Sequence, residues 1–309
     1  MRALFAQVFG HVISQQEWAW KYRDTDLRGS LLTKASNGDA IAFFGGMPRF
    51  FTWQGQSFCA VQNGDVMVRT QERGVFSRKG ALYQVANDFF SSHLGENKEY
   101  AFAFGFPNAR HFQLGLKLGL YGKAAHMQLM RWSPQAALWL RNWTVKEICA
   151  PGPFAALDLL WQQMQASWSE HFVPVRTAKH WDWRYRQRPS VDYKLLLVSQ
   201  RLTGRPLAAL AVRLYDKHCD WLDYLGPRES LREAIAAVRA FAHQHQRPVQ
   251  ALISDAVAQE FSAAQSQGLE LAPSGIFVPT NAIDTAGVVE PSMPWVGRLW
   301  LMGGDSDFM

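Results

Sequence analysis

Cysteine is scarce in this chain. Cys59, Cys149 and Cys219 are the three in 309 residues, they lie far apart, and no Cys-x-x-Cys occurs. An odd, scattered set excludes a disulfide framework and a zinc knuckle and fits a reducing, cytoplasmic setting. No apolar stretch is long enough to cross a bilayer, so no membrane span is expected. The opening run MRALFAQVFGHVIS has one early basic residue, is interrupted by Gln7, Gly10 and His11, and leads to no small-residue cleavage site, so it does not read as a signal peptide. Consecutive basic residues never form a block, which argues against a nucleic-acid stripe, although the net charge of +6 suits an anionic partner such as a phosphorylated cofactor. His243 and His245 stand two apart in a helical pattern and point in different directions; no metal is expected.

What the chain does have is apolar and aromatic material, 48% hydrophobic with 13 tryptophans and 20 phenylalanines, ample for two cores. It also has an internal repeat. Residues 18–23 read WAWKYR and residues 181–186 read WDWRYR, about half the chain later. After the first copy, LLTKASNGDAIAFFGG gives two strand-like runs around Asn37–Gly38; after the second, YKLLLVSQRLTGRPLAALAVR gives two around Thr203–Gly204. The pattern continues in parallel. A helical stripe from about Lys79 to Ser92 precedes the strand-like YAFAFGF and a helix from about Ala109 that ends at Leu118–Gly119–Leu120. A second stripe from about Ser230 to His245 precedes the strand-like ALIS and a helix that ends at Gln267–Gly268–Leu269. This is a mixed α/β plan with a mainly antiparallel sheet flanked by helices, arranged in tandem. The prolines and glycine around Cys149–Pro153 mark the expected linker, giving domains 1–149 and 150–309, and an amphipathic helix from Phe154 to about Trp168 opens the second.

The stretch that carries chemistry is Asp65 to Gly80, DVMVRTQERGVFSRKG. It leads from a strand, through a loop with two glycines and several basic residues, into a helix. Loop N–H groups converging on one point, together with a positive helix end, make a cradle for an anion such as a pyrophosphate. Gly74 and Gly80 permit close backbone approach, and Arg73, Arg78 and Lys79 supply charge. The alternative is a basic surface loop that merely leads into a helix.

Gln71-Glu72-Arg73-Gly74-Val75-Phe76 resembles the pyrophosphate loop of the GNAT superfamily of acyltransferases, [QR]-x-x-G-x-[GA], with Phe76 departing at the last position. Phe104-Gly105-Phe106-Pro107-Asn108, then a helix and Lys117-Leu118-Gly119-Leu120-Tyr121, resembles that family's fifth strand, the Asn after it and the Leu-Gly-Phe end of the next helix. Taken over the whole chain, including Trp18-x-Trp20-Lys21-Tyr22 and the tail Trp300 to Phe308, it resembles a bacterial group with tandem GNAT-like domains. The resemblance implies an acyl-CoA, most simply acetyl-CoA, as co-substrate and direct transfer of the acyl group to an amine of a small molecule or amino sugar. It implies that the backbone of Met67, Val68 and Arg69 holds the pantetheine, and that Arg73, Gly74, Val75, Phe76, Ser77, Arg78, Lys79 and Gly80 hold the pyrophosphate. Asn108 would bind cofactor or a bridging water; otherwise it caps a helix.

Direct transfer needs a base for the ammonium and an acid for the leaving thiolate. Asp65 is the expected base, or else a turn residue after Asn63–Gly64. The family's usual acid is a tyrosine four residues before the Leu-Gly glycine, and here that position is Gly115; Tyr121 is the expected substitute, with His111 the other candidate. Asp305, Asp307 and the carboxylate of Met309 offer a further place to receive a cationic acceptor, or simply fray. The second half has Leu225-Gly226-Pro227-Arg228 in place of the cradle, and Pro227 removes a donor, so that half is expected to lack cofactor. Two rivals remain open: a Fem-type aminoacyl-tRNA-dependent transferase, the one case in which nucleic acid would be a partner, and a non-catalytic acyl-CoA-binding or interaction module.

Overall fold

The computed structural model describes the chain except residues 23–27, 35–36, 74–76, 140, 150–153, 282–292 and 307–308. Gly74, Val75 and Phe76 of the expected cradle, and Asp307, therefore lie outside the described residues. The elements of the first half are α1 (Arg2–Phe9), α2 (Gln15–Tyr22), β1 (Arg28–Thr33), β2 (Ala40–Trp53), β3 (Gln56–Asn63), β4 (Met67–Val68), α3 (Ala81–His93), β5 (Ala103–Gly105), α4 (Ala109–Lys117) and β6 (Tyr121–Trp132). Next come β7 (Trp143–Glu147), α5 (Phe154–Ser167), β8 (Val173–Pro174), α6 (Ala178–Trp181) with a π turn over Asp182–Arg186, β9 (Lys194–Gln200), β10 (Pro206–Leu214), β11 (Cys219–Leu225), α7 (Leu231–Gln244), β12 (Val249–Ser254), α8 (Asp255–Ala264) and β13 (Leu269–Asn281). The class is mixed α/β, a sheet flanked by helices.

By its internal contacts the chain forms two compact units, and neither is a continuous stretch. The first comprises Met1–Phe51, Phe58–Ala124 and Ile276–Val296; the second comprises Thr52–Ser57, Ala125–Gly275 and Gly297–Met309. In the first unit, β1 pairs antiparallel with β2, which neighbours β3. β3 runs parallel to β5, and the end of β13 pairs antiparallel with β5 at Thr280↔Phe104. In the second unit, β9 lies antiparallel between β7 and β10, β10 pairs antiparallel with β11, and β11 is parallel to β12. The far part of β6 then pairs antiparallel with β12, from Met127↔Ser254 to Trp132↔Val249. The last strand of each sequence half thus completes the other unit's sheet.

Each unit has its own core. In the first, the α3 stripe Val85, Ala86, Phe89 and Phe90 packs on Ala42, Phe44, Val61 and Ala103 of the strands. Four residues at spacings of one, three and one put both turns of the helix on one face, the geometry that its sequence pattern requires. A smaller cluster holds α1 to the sheet through Leu4, Phe5, Phe43 and Met67. In the second, Leu157, Leu160, Trp161 and Met164 of α5 and Ile235 and Val238 of α7 cover β9 to β12.

Two expectations shift at their edges. YAFAFGF contributes strand only at Ala103–Gly105, because Tyr100 and Ala101 bond back to His93 and Cys59 instead. The α8 helix stops at Ala264, where Gln265 turns extended, short of Gln267–Gly268. The two hexamers occupy matching places, Trp18 in the helix before β1 and Trp181 in the helix before β9.

Candidate active site

The site in the first unit begins where two parallel strands part. β3 accompanies β5 as far as Asn63↔Gly105. Beyond Asn63 the chain kinks at Asp65, whose φ of 50° lies in the left-handed region, and β4 continues against β2 through Ala42↔Val68 and Phe43↔Met67. Past Gly105, β5 gives way to Phe106–Asn108 and then α4. The strands thus diverge and open a cavity of about 360 Å³. Val66 and Val68 form one wall, and Asn108, Arg110, His111, Leu114 and Leu118 of α4 form the opposite one. Glu72, Arg73, Ala81 and Leu82 close it at the start of α3, and Val8 and Phe9 of α1 lie across it.

The rim gathers positive charge. α3 has thirteen residues, and among the described residues no side chain caps its start and no acidic residue stands in its first turn. Arg73 folds its Nε onto the Val68 carbonyl at 2.8 Å and still faces the cavity. Ser77, Arg78 and Lys79 are exposed just before the helix, with the Arg78 guanidinium 5.9 Å from the Tyr83 ring centroid. Arg110 sits in the first turn of α4, which also lacks an acidic residue. A cation there opposes the helix dipole by about 0.3–1 kcal/mol. That is the signal by which Arg110 could have been singled out in the sequence, and it was missed.

Of the expected pantetheine contacts, Met67 and Val68 lie on the strand beside the cavity, but Arg69 does not leave its backbone free. Its N–H donates to the Ile41 carbonyl at 2.8 Å, continuing the pairing of β4 with β2, and its carbonyl accepts from Glu72 N at 2.9 Å, where the chain turns out of the sheet. Its side chain reaches Asp39 at 3.4 Å. Asn108 caps α4, its Oδ1 accepting from His111 N–H at 2.9 Å, and lines the cavity as well.

Asp65 lies at the kink and is not among the cavity's lining residues. Its carboxylate takes a pair from Lys21 Nζ at 2.8 Å and a hydrogen bond from the Tyr22 hydroxyl, both from the first hexamer. The second unit repeats this latch. Tyr185 of the second hexamer donates to Asp223 Oδ2 at 2.8 Å near the end of β11, and the fully buried Arg176 meets Asp223 Oδ1 at 2.7 Å.

Tyr121 reaches the site by an unexpected route. The Cβ that Gly115 lacks would stand 1.9 Å from Tyr121 Cδ2, so the Tyr121 ring fills the space of a side chain at position 115. The resemblance places its tyrosine at that very helix position; here the ring arrives from the following strand. The Tyr121 hydroxyl lies 3.1 Å from His111 Nε2, and His111 is the member of the pair that faces the cavity. Burial lowers the imidazole's pKa below its ordinary value and raises the phenol's far above its own. At neutral pH both groups are uncharged.

At the corresponding loop of the second unit a cavity of about 530 Å³ remains, bordered by Ser167, Leu207, Pro227, Glu229 and Ser230, but the loop's own polar groups are taken by the chain. Arg228 N–H donates to Ser167 Oγ at 3.0 Å, Trp168 Nε1 donates to the Gly226 carbonyl at 3.4 Å, and the Arg228 guanidinium stacks 4.5 Å from the Trp168 centroid while pairing with Glu170. The tail is structural too. Asp305, expected to face a cationic acceptor, is taken by Arg176 Nη2 at 2.6 Å and Met302 N–H at 2.8 Å, and a Met309 carboxyl oxygen accepts from Arg184 at 2.8 Å and Tyr193 at 2.9 Å.

No family model matches the chain, and no curated protein matches it in sequence. Solved structures match its fold. A conserved protein from Enterococcus faecalis described as a probable N-acyltransferase aligns with a TM-score of 0.63 at 10% identity, over 90% of this chain and 68% of that one. A GCN5-related N-acetyltransferase from Anabaena variabilis gives 0.63 at 12% identity, over 92% and 70%. Saccharomyces cerevisiae N-myristoyltransferase with bound myristoyl-CoA gives 0.55 at 10% identity, over 97% and 85%. The chain shares the fold of these N-acetyltransferase, N-acyltransferase and N-myristoyltransferase structures.

Proposed function

We propose that the protein is an acyl-CoA-dependent N-acyltransferase that binds its acyl-CoA in the first unit and acylates an amine, the acceptor being a small molecule or amino sugar and the acyl group acetyl. One observation carries this reading: the cavity between diverging β4 and β5 is closed by an uncapped helix end with Arg73 and Arg110 at its rim. Apolar walls suit a pantetheine arm, and open N–H groups with guanidinium charge suit a pyrophosphate. In this reading residues 73–80 hold the pyrophosphate, and Met67 and Val68 border the arm. The second GNAT-like half contributes structure without cofactor in this reading: the cavity at its counterpart loop is bordered by Pro227 and Glu229, and the Arg228 N–H and Gly226 carbonyl are taken by Ser167 and Trp168.

In the chemical step the acceptor nitrogen attacks the thioester carbonyl, the C–N bond forms and the C–S bond breaks. His111 is a titratable group on the α4 wall of the cavity, neutral by virtue of burial, whereas Glu72 at the other end pairs with Lys34. The imidazole takes the proton from the attacking nitrogen and returns it to the leaving sulfur. Tyr121 fixes the ring from behind through Nε2 and is a positioning residue. For Asp65 we propose positioning as well, in place of the base expected for it. Its charge is engaged by Lys21 and Tyr22, and the same latch recurs at Asp223 in the unit for which no cofactor is proposed.

The test is calorimetry with acetyl-CoA followed by thiol release across a panel of amines and amino sugars. One site per chain and amine-dependent thiol release are expected. Absence of acyl-CoA binding would overturn the assignment, and binding without transfer to any amine would leave the non-catalytic module.

A further inference from the structure

In the second unit, three large apolar side chains stand out from the surface: Leu138 is 71% exposed, Trp139 88% and Leu202 94%. They are presented together. Leu202 tips the β9–β10 turn, which Gly204 closes with a φ of 72°. The Arg201 N–H donates to the Asn142 carbonyl at 2.7 Å, and the Arg201 guanidinium reaches the Trp139 carbonyl at 3.5 Å. Turn and loop are thereby tied side by side. A hairpin tip ordinarily carries polar residues, and a tryptophan left in water forgoes a large burial gain, so an exposed cluster of this kind marks an interaction site.

The charges around it identify the occupant. Segments 133–146 and 199–206 contain Arg141, Lys146, Arg201 and Arg205 and no carboxylate. Aliphatic tips flanked by cations, with one tryptophan, match the interfacial layer of an anionic bilayer. There indole sits at headgroup level, leucine enters the acyl boundary and arginines meet phosphate. Single-stranded nucleic acid would call for planar stacking partners at the two leucine positions. No helix among the described residues is long and apolar enough to cross a membrane, so the contact would be peripheral.

We infer that this patch docks the protein on an anionic membrane surface. The inference does not depend on the acyltransferase reading. It is tested by co-sedimentation of the full chain with vesicles of phosphatidylcholine alone and of phosphatidylcholine mixed with phosphatidylglycerol. Binding only to the mixed vesicles, weakened by salt, is expected. Trp139→Ala with Leu202→Ser should lower binding about tenfold or more, and Arg141→Gln, Arg201→Gln and Arg205→Gln together about a hundredfold. Thermal midpoints and acyl-CoA binding should stay unchanged in the Trp139/Leu202 variant, since those side chains are exposed and lie outside the cavity. Failure of the wild type to bind mixed vesicles overturns the inference. So does binding that persists in the Trp139/Leu202 variant, which would mean general electrostatic adsorption. A self-association that disappears on Trp139→Ala without vesicle binding would likewise overturn it, in favour of a second copy of the chain.

Discussion

Gly115→Ala is a small change with a large expected consequence. The added Cβ would lie 1.9 Å from Cδ2, 2.3 Å from Cε2 and 2.6 Å from Cγ of Tyr121. Three ring atoms at such distances cannot yield by a rotamer adjustment of a flexible tip, so the ring must leave. Tyr121 is 8% exposed and belongs to the core cluster with Val85, Phe89 and Leu120. Overpacking of this kind costs about 1–3 kcal/mol. At about 2–4 °C per kcal/mol for a chain of this order of size, the thermal midpoint should fall by roughly 2–12 °C. The displaced hydroxyl also loses His111, so turnover should fall while acyl-CoA affinity holds. The decisive measurement is a double-mutant cycle with Tyr121→Ala. Once the ring is gone the Cβ has room, and Gly115→Ala in that background should cost almost nothing. A single variant as stable and active as the wild type, or costs that simply add, would refute the placement of the ring and with it the role given to His111.

His111→Gln should lower turnover by about two to four decades with little change in acyl-CoA affinity, as loss of a general base does. Because burial lowers its pKa in the fold, the unfolded chain binds a proton first as pH falls below the ordinary 6.5. Stability and activity should both decline below that pH in the wild type, and the stability decline should shrink in the variant. Asp65→Asn should destabilise by about 1–3 kcal/mol through the loss of Lys21 and Tyr22. Asp223→Asn should cost more, about 3 kcal/mol, because the fully buried Arg176 loses its Nε partner and keeps only Asp305 as a counter-charge, and chemical denaturation of the pair measures both. Arg73→Ala and Arg110→Ala should each weaken acyl-CoA binding about tenfold in low salt and less in high salt. Arg228→Ala should leave calorimetric binding unchanged, since its guanidinium is spent on Glu170 and Trp168.

Local pattern made much of the architecture legible. The helical stripes predicted Ala81–His93, Leu231–Gln244 and Phe154–Ser167 to within a residue or two, because apolar spacing is a property of one segment read alone. The strand exchange was not legible. β6 pairs with β12 and β13 with β5, and such pairings join residues more than a hundred positions apart, with no local mark on either strand. At the site, the open helix start and its cations could be read, while the groups that act in three dimensions could not. The first hexamer marked a repeat, yet nothing in it showed that Lys21 and Tyr22 would take Asp65. Gly115 read as the loss of a tyrosine, whereas in space it is the vacancy that Tyr121 fills. α1 read only as something other than a signal peptide, and two of its residues line the cavity.

The two units show how one plan can keep a latch and change the loop beside it. In both, the tyrosine of a W-x-W-[KR]-Y-R helix bonds an aspartate near the end of the third strand of the unit, and in both a cation pairs with that aspartate. The position of the cation differs. Lys21 comes from the hexamer itself and leaves the kink at Asp65 partly open, whereas Arg176 comes from the chain before the hexamer and is buried with Asp305 above it. The residues after the aspartate differ in step. Val66 and Val68 face a cavity and lead to a helix start with no cap. Tyr224 is wholly buried, Pro227 withholds an N–H, and the next N–H, that of Arg228, is answered by Ser167 of α5. A helix N-terminus binds an anion only while its N–H groups lack partners within the chain. The α7 start has no side-chain cap either, so by that criterion the units differ in the turn before the helix, where Ser167 answers the Arg228 N–H, and in the acidic Glu233 of the first turn of α7. The criterion also makes a demand of its own. Ser167→Ala with Trp168→Ala should unplug the second loop, and a second acyl-CoA site should still fail to appear in calorimetry, because Pro227 and the acidic Glu229 and Glu233 at that helix start remain. A second site in that variant would show that the plug alone, and not the loop's own residues, separates the two units.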